Sequence, residues 1–258
     1  MRRIFGGLMI VLISIIMIVG LAKIGNSREQ AQLEAQSASY ARTDRSSSSA
    51  VSSSSSSEKK ASAKPKPGQG KTLSLAVMGD DMAAGHFTST EKSAYQYLVA
   101  ADIQKSLGFK VTLTGTWRSG ATIGTSGLPN ISSVTTNKPD VVILQYGNNE
   151  QTAAGSTAGL YHDNLMKAVQ TLRAQLPKVK VIIITPWTQN AAFQRSVTQV
   201  GSSTGVSVVD ISQISTDNVN HASANTSSWA GKVSGDWPND QGNAKIAAAV
   251  EQVIAKAY

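Results

Sequence analysis

One stretch of the chain, Val77–Gly85, has the residue types and the position of a catalytic turn. It follows an apolar run from Leu73 to Val77 that is typical of a buried strand, and it precedes a helical pattern that begins near Lys92. A strand that breaks at Gly-Asp and leads into a helix presents one side chain at the carboxyl edge of a sheet, where open α/β folds bind ligands. The side chain presented here is Asp81, so the chemistry of that carboxylate is central to function.

The elements that position this turn are short β-branched runs that alternate with helical patterns. Strands are predicted at Leu73–Val77, Lys110–Thr114, Val141–Gln145, Val179–Thr185 and Val206–Asp210, and helices at Lys92–Leu107, Pro129–Asn137, Leu160–Leu176, Asn190–Val200 and Asp240–Lys256. This alternation indicates right-handed crossovers and a parallel sheet covered on both faces. We therefore predict a flavodoxin-like, three-layer α/β/α domain with a five-stranded parallel sheet over residues 72–258.

Residues 1–25 carry the pattern of a membrane anchor. Arg2 and Arg3 precede an almost unbroken apolar run over residues 4–22, which as a helix is roughly 28 Å long and matches the thickness of a bilayer. The alternative is a cleaved signal peptide, but its apolar part is shorter and a small-residue cleavage site should follow. We predict an uncleaved transmembrane helix with a cytoplasmic amino terminus, because the positive charge before the run exceeds that after it.

Residues 26–71 form a linker of low complexity that is rich in Ser, Lys and Pro. Such a segment cannot bury enough apolar surface to offset its ordering entropy, so a disordered tether is predicted.

Residues 1–71 hold 11 Lys and Arg against 4 Asp and Glu, whereas residues 72–258 hold 13 against 12. The near-neutral domain argues against a nucleic-acid partner, which would need a basic fold. The chain has no Cys, which excludes disulfides and thiolate chemistry.

Four polar blocks at predicted strand ends carry a resemblance to a known family. They are Gly79-Asp80-Asp81, Gly115 with Ser119-Gly120, Gly147–Glu150 and Pro238–Ala247. In this order they resemble the Gly-Asp-Ser opening, the second-glycine block, the Gly-x-Asn-Asp block and the end of the Asp-x-x-His-Pro-Asn block of the SGNH/GDSL hydrolases. The resemblance covers residues 72–258 and implies the fold of that family and an ester hydrolase or acyl transferase ancestry.

The residues that would carry the reaction depart from the family pattern. In the family a serine attacks, a histidine acts as general base, and an aspartate three residues before it orients the imidazole. Carried onto this chain, these positions fall on Asp81, Trp237 and Ser234. An indole N–H only donates and cannot accept a proton, so we expect no serine-type hydrolysis.

The resemblance also implies an oxyanion hole, and its donors are retained. They would be the Asp81 N–H, the Asn149 amide and the N–H of either Gly115 or Gly120. A carboxylate beside such donors accepts their hydrogen bonds itself, as an anion does at a helix amino terminus. Asp81 is therefore predicted to occupy the position meant for the oxygen of the transition state.

Two rebuilt sites remain open as alternatives. His221 lies in the long loop before Trp237 and would give an Asp81–His221 dyad. The carboxylates of Asp80, Asp81, Glu150 and Asp236 would suit Mg²⁺ or Ca²⁺. Carboxylates at strand ends more often cap turns and helices, and we expect neither a metal nor another cofactor.

Four tryptophans, Trp117, Trp187, Trp229 and Trp237, fall in loops at the same edge. They either pack the loops onto the sheet or present a platform for sugar rings, with Trp187 as a candidate ligand-binding residue. The family resemblance implies a cell-wall polysaccharide or another acylated glycan as partner. Three hypotheses follow: a non-catalytic domain that binds envelope glycan or an assembly partner, an active esterase or acetyltransferase with a changed residue set, and a structural module of the envelope.

Overall fold

The computed structural model describes residues 65–258. The predicted membrane span at residues 4–22 and most of the predicted linker lie outside the described residues. Within residues 65–258, no helix combines the length and the apolar character needed to cross a membrane. The described chain joins the fold at Gly68, whose N–H donates to the Leu107 carbonyl at 2.9 Å and which packs on the Phe109 ring.

Five parallel strands form one sheet, as predicted. They are β1 (Thr72–Gly79), β2 (Lys110–Trp117), β3 (Val141–Gln145), β4 (Lys180–Ile184) and β5 (Ser207–Val209). Their order in the sheet is β2-β1-β3-β4-β5, which is the flavodoxin-like order of a doubly wound fold. Every residue of β3 is buried, as expected for a strand with helices on both faces.

The helices alternate with the strands in the predicted places. They are α1 (Asp81–Ala84), α2 (Tyr95–Leu107), α3 (Leu128–Thr136), α4 (Ala158–Gln175), α5 (Ala191–Thr204), α6 (Ser212–Ser215) and α7 (Asp240–Ala255). The α5 helix runs four residues beyond its predicted end and stops at Gly205, which adopts the left-handed conformation of a helix C-cap. The short helices α1 and α6 were predicted as loops, because four residues show no helical periodicity.

Two apolar clusters cover the two faces of the sheet and give the predicted three-layer arrangement. On one face, β1 packs through Leu73, Leu75 and Val77 against helices α2 and α7. On the other face, Ala76 and Met78 pack among helices α3, α4 and α5. Both clusters lie entirely within the described residues, and residues 63–258 form one compact unit. A unit with its own complete core is expected to fold independently.

The long segment between α6 and α7 contains an element that sequence patterns did not indicate. Strands β6 (Ser227–Ser228) and β7 (Gly231–Lys232) form a small antiparallel hairpin. The backbone of this segment is tied to the site edge, since the Trp229 N–H donates to the Thr88 carbonyl at 3.2 Å. The segment of residues 216–239, which carries Ser234 and Trp237, therefore has defined structure at the carboxyl edge of the sheet. We call it the covering loop.

Candidate functional site

The turn after β1 presents Asp81 at the carboxyl edge of the sheet, as its sequence predicts. Asp80 caps helix α1 by accepting from the Met82 N–H at 3.0 Å. A side chain at Gly79 would meet the Ala83 Cβ at 2.4 Å and the Gln145 carbonyl oxygen at 2.9 Å. Only glycine fits there, and α1 begins two residues later, which places Asp81 at the edge of the sheet.

The Asp81 carboxylate is held by three donors. Its Oδ2 accepts from the Gly120 N–H at 2.9 Å and from the Asn149 amide at 2.7 Å. Its Oδ1 accepts from the Ser119 hydroxyl. Burial raises the pKa of Asp81, but the hydrogen bonds from Ser119, Asn149 and Gly120 outweigh burial and leave the pKa below its ordinary value. Asp81 is therefore an anion at neutral pH, seated on the very donors predicted for an oxyanion hole.

Of the two glycines that the sequence left open, Gly120 is the one that contacts Asp81. Gly115 lies inside β2 opposite Val77, with φ of +154°. A Cβ at Gly115 would come within 1.9 Å of the Val77 carbonyl oxygen. Glycine is required at that position by the close approach of two strands, and Gly115 contributes no donor to Asp81.

A second set of carboxylates lies beneath Asp81 and holds the loops in place. Asp80 is fully buried and accepts from the Asn148 amide at 2.9 Å. Asn148 in turn accepts from the Thr188 N–H at 3.0 Å. Burial raises the pKa of Asp80 to about 7, against the opposing effect of its hydrogen bonds. These contacts join the loops that follow β1, β3 and β4.

Glu150 performs the same task between the loops that follow β2 and β3. Its carboxylate accepts from the Ile123 N–H at 2.6 Å and from the Gly147 N–H at 2.8 Å. Burial raises the pKa of Glu150, and the hydrogen bonds from Ile123 and Gly147 only partly offset that rise. Because Asn149 directly precedes Glu150 in the chain, Glu150 fixes the position of the amide that reaches Asp81.

The remaining two triad positions carry no acid–base group. Ser234 is exposed in the loop after β7. Trp237 is half-buried and stacks on Phe87, with the ring centroids 4.4 Å apart and the planes at 6°. The hydrogen bonds of the Asp81 side chain go to Ser119, Gly120 and Asn149, so neither position is joined to it.

Family comparison agrees with this geometry. A family model for the GDSL-like lipase/acylhydrolase family matches residues 77–245, which run from the end of β1 into α7. The chain belongs to this family. The match contains the first three blocks described from the sequence, most of the fourth, and the three substituted triad positions.

Solved structures share the fold of this GDSL-family domain. TesA has a TM-score of 0.60 and 18% identity, over 72% of this chain and 100% of TesA. A lipase/acylhydrolase from Enterococcus faecalis has a TM-score of 0.58 and 19% identity, over 72% and 97% of the two chains. An acetyl xylan esterase has a TM-score of 0.55 and 17% identity, over 70% and 100%. A comparison with curated proteins found no match.

The ring of Trp187, a predicted ligand-binding residue, is not open to solvent. Trp187 is only 3% exposed and belongs to the apolar cluster on the α2 and α7 side. Its indole N–H donates to the Asp236 carbonyl, and its ring lies 5.0 Å from the His221 ring. Trp187 therefore anchors the covering loop of the GDSL-family domain and offers no open surface to a ligand.

Trp229 is the tryptophan with the most open ring at this edge. It is 43% exposed, and its indole N–H donates to the Gly85 carbonyl at 2.6 Å. By contrast, Trp117 packs edge-on against Tyr97 at 6.2 Å. The hydrogen bond fixes the Trp229 ring while one part of it stays open to solvent.

Neither rebuilt site forms in the described residues. The His221 Nε2 lies 2.7 Å from the Ser215 carbonyl oxygen, and the Asp81 carboxylate accepts from Ser119, Gly120 and Asn149, so the two side chains are not hydrogen-bonded to each other. No group of three or more His, Asp or Glu side chains in residues 65–258 is arranged to hold a metal ion. Asp80 and Glu150 are instead occupied by backbone and amide donors, as capping carboxylates are.

An open cleft of about 390 Å³ lies beside the stack of Phe87 and Trp237. Hydroxyl and amide side chains dominate its walls, which include Phe87, Ser89, His221, Thr226, Asn239 and Gln241. The cleft was not predicted, because its walls come from the loop after α1, the segment between α6 and α7, and the start of α7. The Ser119 contact to Asp81 was also missed, although its place beside Gly120 in the second-glycine block was an available signal.

Proposed function

We propose that this GDSL-family domain has lost ester hydrolysis and binds a cell-envelope glycan. The observation that carries the proposal is the seat of Asp81, whose carboxylate fills the donors Gly120 and Asn149. An acyl substrate needs those donors for its developing oxyanion. The Asp81 anion occupies the oxyanion donors, and neither Trp237 nor Ser234 can act as a general base. The site therefore lacks both a free oxyanion hole and a base to activate a nucleophile.

The binding part of the proposal is supported by the open side of the site. The cleft beside Phe87 is lined mainly by hydroxyl and amide side chains, together with His221 and the Asp240 carboxylate, and the exposed part of Trp229 lies on the same edge. Sugar rings combine hydroxyl groups with an apolar face, so they suit amide and hydroxyl donors next to an aromatic ring. The solved acetyl xylan esterase with the same fold makes an acylated polysaccharide a reasonable ligand class.

The setting of this domain is part of the same proposal. The apolar run at residues 4–22 has the length of a single membrane span, and the excess of positive charge before it favours a cytoplasmic amino terminus. We therefore place the GDSL-family domain outside the cell membrane, at the end of the Ser-rich linker of residues 26–71. An envelope-assembly protein is the alternative partner in that setting.

The test uses residues 65–258 and purified peptidoglycan, before and after chemical removal of O-acetyl groups. We expect the domain to co-sediment with peptidoglycan and to hydrolyse neither its acetyl groups nor an aryl acetate above background. Trp229→Ala should weaken co-sedimentation by about fivefold, since stacking on an aromatic ring contributes about 1 kcal/mol. Tyr258→Ala is the matched control. Tyr258 is similarly exposed, at 41%, but it follows the carboxyl end of α7, at the edge of the sheet opposite the site.

Two results would overturn the proposal. Hydrolysis by the unmodified domain that disappears in Asp81→Ala would make it an enzyme that uses a changed residue set. An equal loss of peptidoglycan binding in Trp229→Ala and Tyr258→Ala would remove the site edge as the binding surface.

A further inference from the structure

Charged side chains of the described residues are separated between the two edges of the sheet. Nine of the fifteen Lys and Arg residues in 65–258 lie at the amino-terminal edge, opposite the site, and all nine are exposed. They are Lys66, Lys71, Lys105, Lys110, Lys138, Arg173, Lys178, Lys180 and Lys256. The near-neutral charge of residues 72–258 therefore conceals one strongly basic surface, which we call the basic edge.

The fold itself fixes the place of these side chains. Lys110 and Lys180 are the first residues of β2 and β4, and Lys71 directly precedes β1. Lys105 and Arg173 lie in the last turns of α2 and α4. In a parallel α/β fold the strand starts and the helix ends meet at one edge, so these residues share a surface.

Helix dipoles explain only part of the basic edge. A cation near a helix carboxyl end is favoured by the dipole, which accounts for Lys105, Arg173 and Lys256. Lys71 and Lys110, at strand starts, do not lie in the last turn of a helix. Lys110, Lys138 and Lys178 make no side-chain hydrogen bond or salt bridge within the described residues, where the salt bridges are His162–Asp163 and Lys245–Asp217.

Acidic groups at the basic edge are few and already engaged. Asp140 accepts from the Ser74 N–H at 2.8 Å, and Glu251 accepts from the Ser106 hydroxyl. The opposite edge has the reverse balance, with eight acidic residues at strand ends and in the loops that follow them. They are Asp80, Asp81, Glu91, Glu150, Asp210, Asp217, Asp236 and Asp240, against the basic residues Lys92, Arg118, Lys232 and Lys245.

We propose that the basic edge docks on anionic lipid headgroups at the membrane surface. The proposal rests on the membrane setting proposed above. The chain enters the fold at this edge, because β1 starts at Thr72, and the preceding sequence adds Lys59, Lys60 and Lys64. Lysines near an anionic leaflet each contribute to attraction within a Debye length of the surface. Docked in this way, the domain holds the cleft and Asp81 away from the membrane, toward the envelope.

The test measures co-sedimentation of residues 65–258 with vesicles at low ionic strength. One set of vesicles contains phosphatidylglycerol and phosphatidylcholine in equal parts, and the other contains phosphatidylcholine alone. The variant Lys110→Gln, Lys138→Gln, Lys178→Gln removes three unpaired charges from the basic edge. The matched control, Lys92→Gln, Lys167→Gln, Lys232→Gln, removes three exposed charges elsewhere on the domain.

We expect binding to the anionic vesicles only, and a loss of binding as salt is added. The basic-edge variant should bind about a hundredfold more weakly, at about fivefold for each lysine, whereas the control variant should bind nearly as the unmodified domain does. Absence of vesicle binding, or an equal loss in both variants, would overturn the proposal. So would binding to soluble polyphosphate or DNA without binding to vesicles. Peptidoglycan binding by the basic-edge variant should be unchanged, which separates this proposal from the proposed function.

Discussion

Asp80 and Asp81 are adjacent in the chain, yet their surroundings are opposite. Asp80 is fully buried, and burial raises its pKa to about 7. Asp81 is half-buried at the mouth of the site, where burial is outweighed by three hydrogen bonds and the pKa falls below its ordinary value. One carboxylate belongs to the inner frame that joins the loops, and the other belongs to the surface where a substrate would react.

This contrast predicts which part of the site in this chain contributes to folding and which part does not. The inner frame of Asp80, Asn148 and Glu150 satisfies buried backbone donors, so losing it would leave polar groups unpaired. At the outer positions, the side chains of Ser234 and Trp237 accept from no such donor within the described residues. A chain that no longer needs the reaction can therefore change the outer positions while it keeps the inner ones.

The largest expected effect is a fall in stability with rising pH that originates at Asp80. Its pKa is about 7 in the folded protein and about 3.9 in an unfolded chain. The folded state therefore binds the proton more tightly, and stability declines between about pH 4 and pH 7 by about 4 kcal/mol. Asp80→Asn cannot ionise and should flatten this decline, as measured by urea denaturation across that range.

Asp81→Asn is the control for that measurement. The pKa of Asp81 is lowered, so its contribution to stability is present above its ordinary pKa and is lost only at lower pH. Asp81→Asn should leave the decline between about pH 4 and pH 7 in place. If it flattens the decline as Asp80→Asn does, the contrast between the two carboxylates is wrong.

A smaller effect is expected from Glu150→Ala. The change strips the Ile123 and Gly147 N–H groups of their buried acceptor, which should cost about 2–3 kcal/mol of folding free energy. Ser234→Ala, at the exposed triad position, should change stability by less than about 0.5 kcal/mol. Chemical denaturation of the two variants measures the difference, and similar values would show that the inner frame has no special role in folding.

The smallest effect on stability is expected from Asn149→Ala, which removes a donor to the Asp81 carboxylate at the mouth of the site. It removes the 2.7 Å hydrogen bond to Asp81, so the pKa of Asp81 should rise toward its ordinary value, with a loss of about 1 kcal/mol of stability. An NMR titration of the Asp81 carboxyl group follows the pKa directly. Asn218→Ala, an exposed asparagine in the covering loop, should leave the Asp81 titration unchanged, and an equal shift there would argue for a general loss of structure.

Much of the fold could be predicted from sequence because hydrophobic periodicity records burial. All five strands and the five long helices lie within a few residues of their predicted bounds. The strand β2 continues three residues past its predicted end at Thr114, because it pairs with β1 as far as Trp117. That extension places Gly115 inside the sheet, which explains why sequence alone left Gly115 and Gly120 undecided.

The site was predictable where a motif fixes backbone geometry, and unpredictable where distant loops meet. The contact between Asp81 and Asn149 followed from two blocks at neighbouring strand ends. The burial of Trp187 and the stacking of Phe87 on Trp237 depend on how the covering loop folds back, which no local pattern records. The basic edge was concealed for a related reason, since net charge carries no information about position.

The most direct test of the account is the triple variant Asp81→Ser, Ser234→Asp, Trp237→His, assayed for aryl acetate hydrolysis. The serine would free the Gly120 and Asn149 donors, and the histidine would supply the missing base. If the frame persists without its reaction, the triple variant should hydrolyse the ester at least about a hundredfold faster than the unmodified domain, while Asp81→Ser alone should give no comparable gain. Hydrolysis by the unmodified domain that equals or exceeds that of the triple variant would contradict the claim that the frame persists without its reaction.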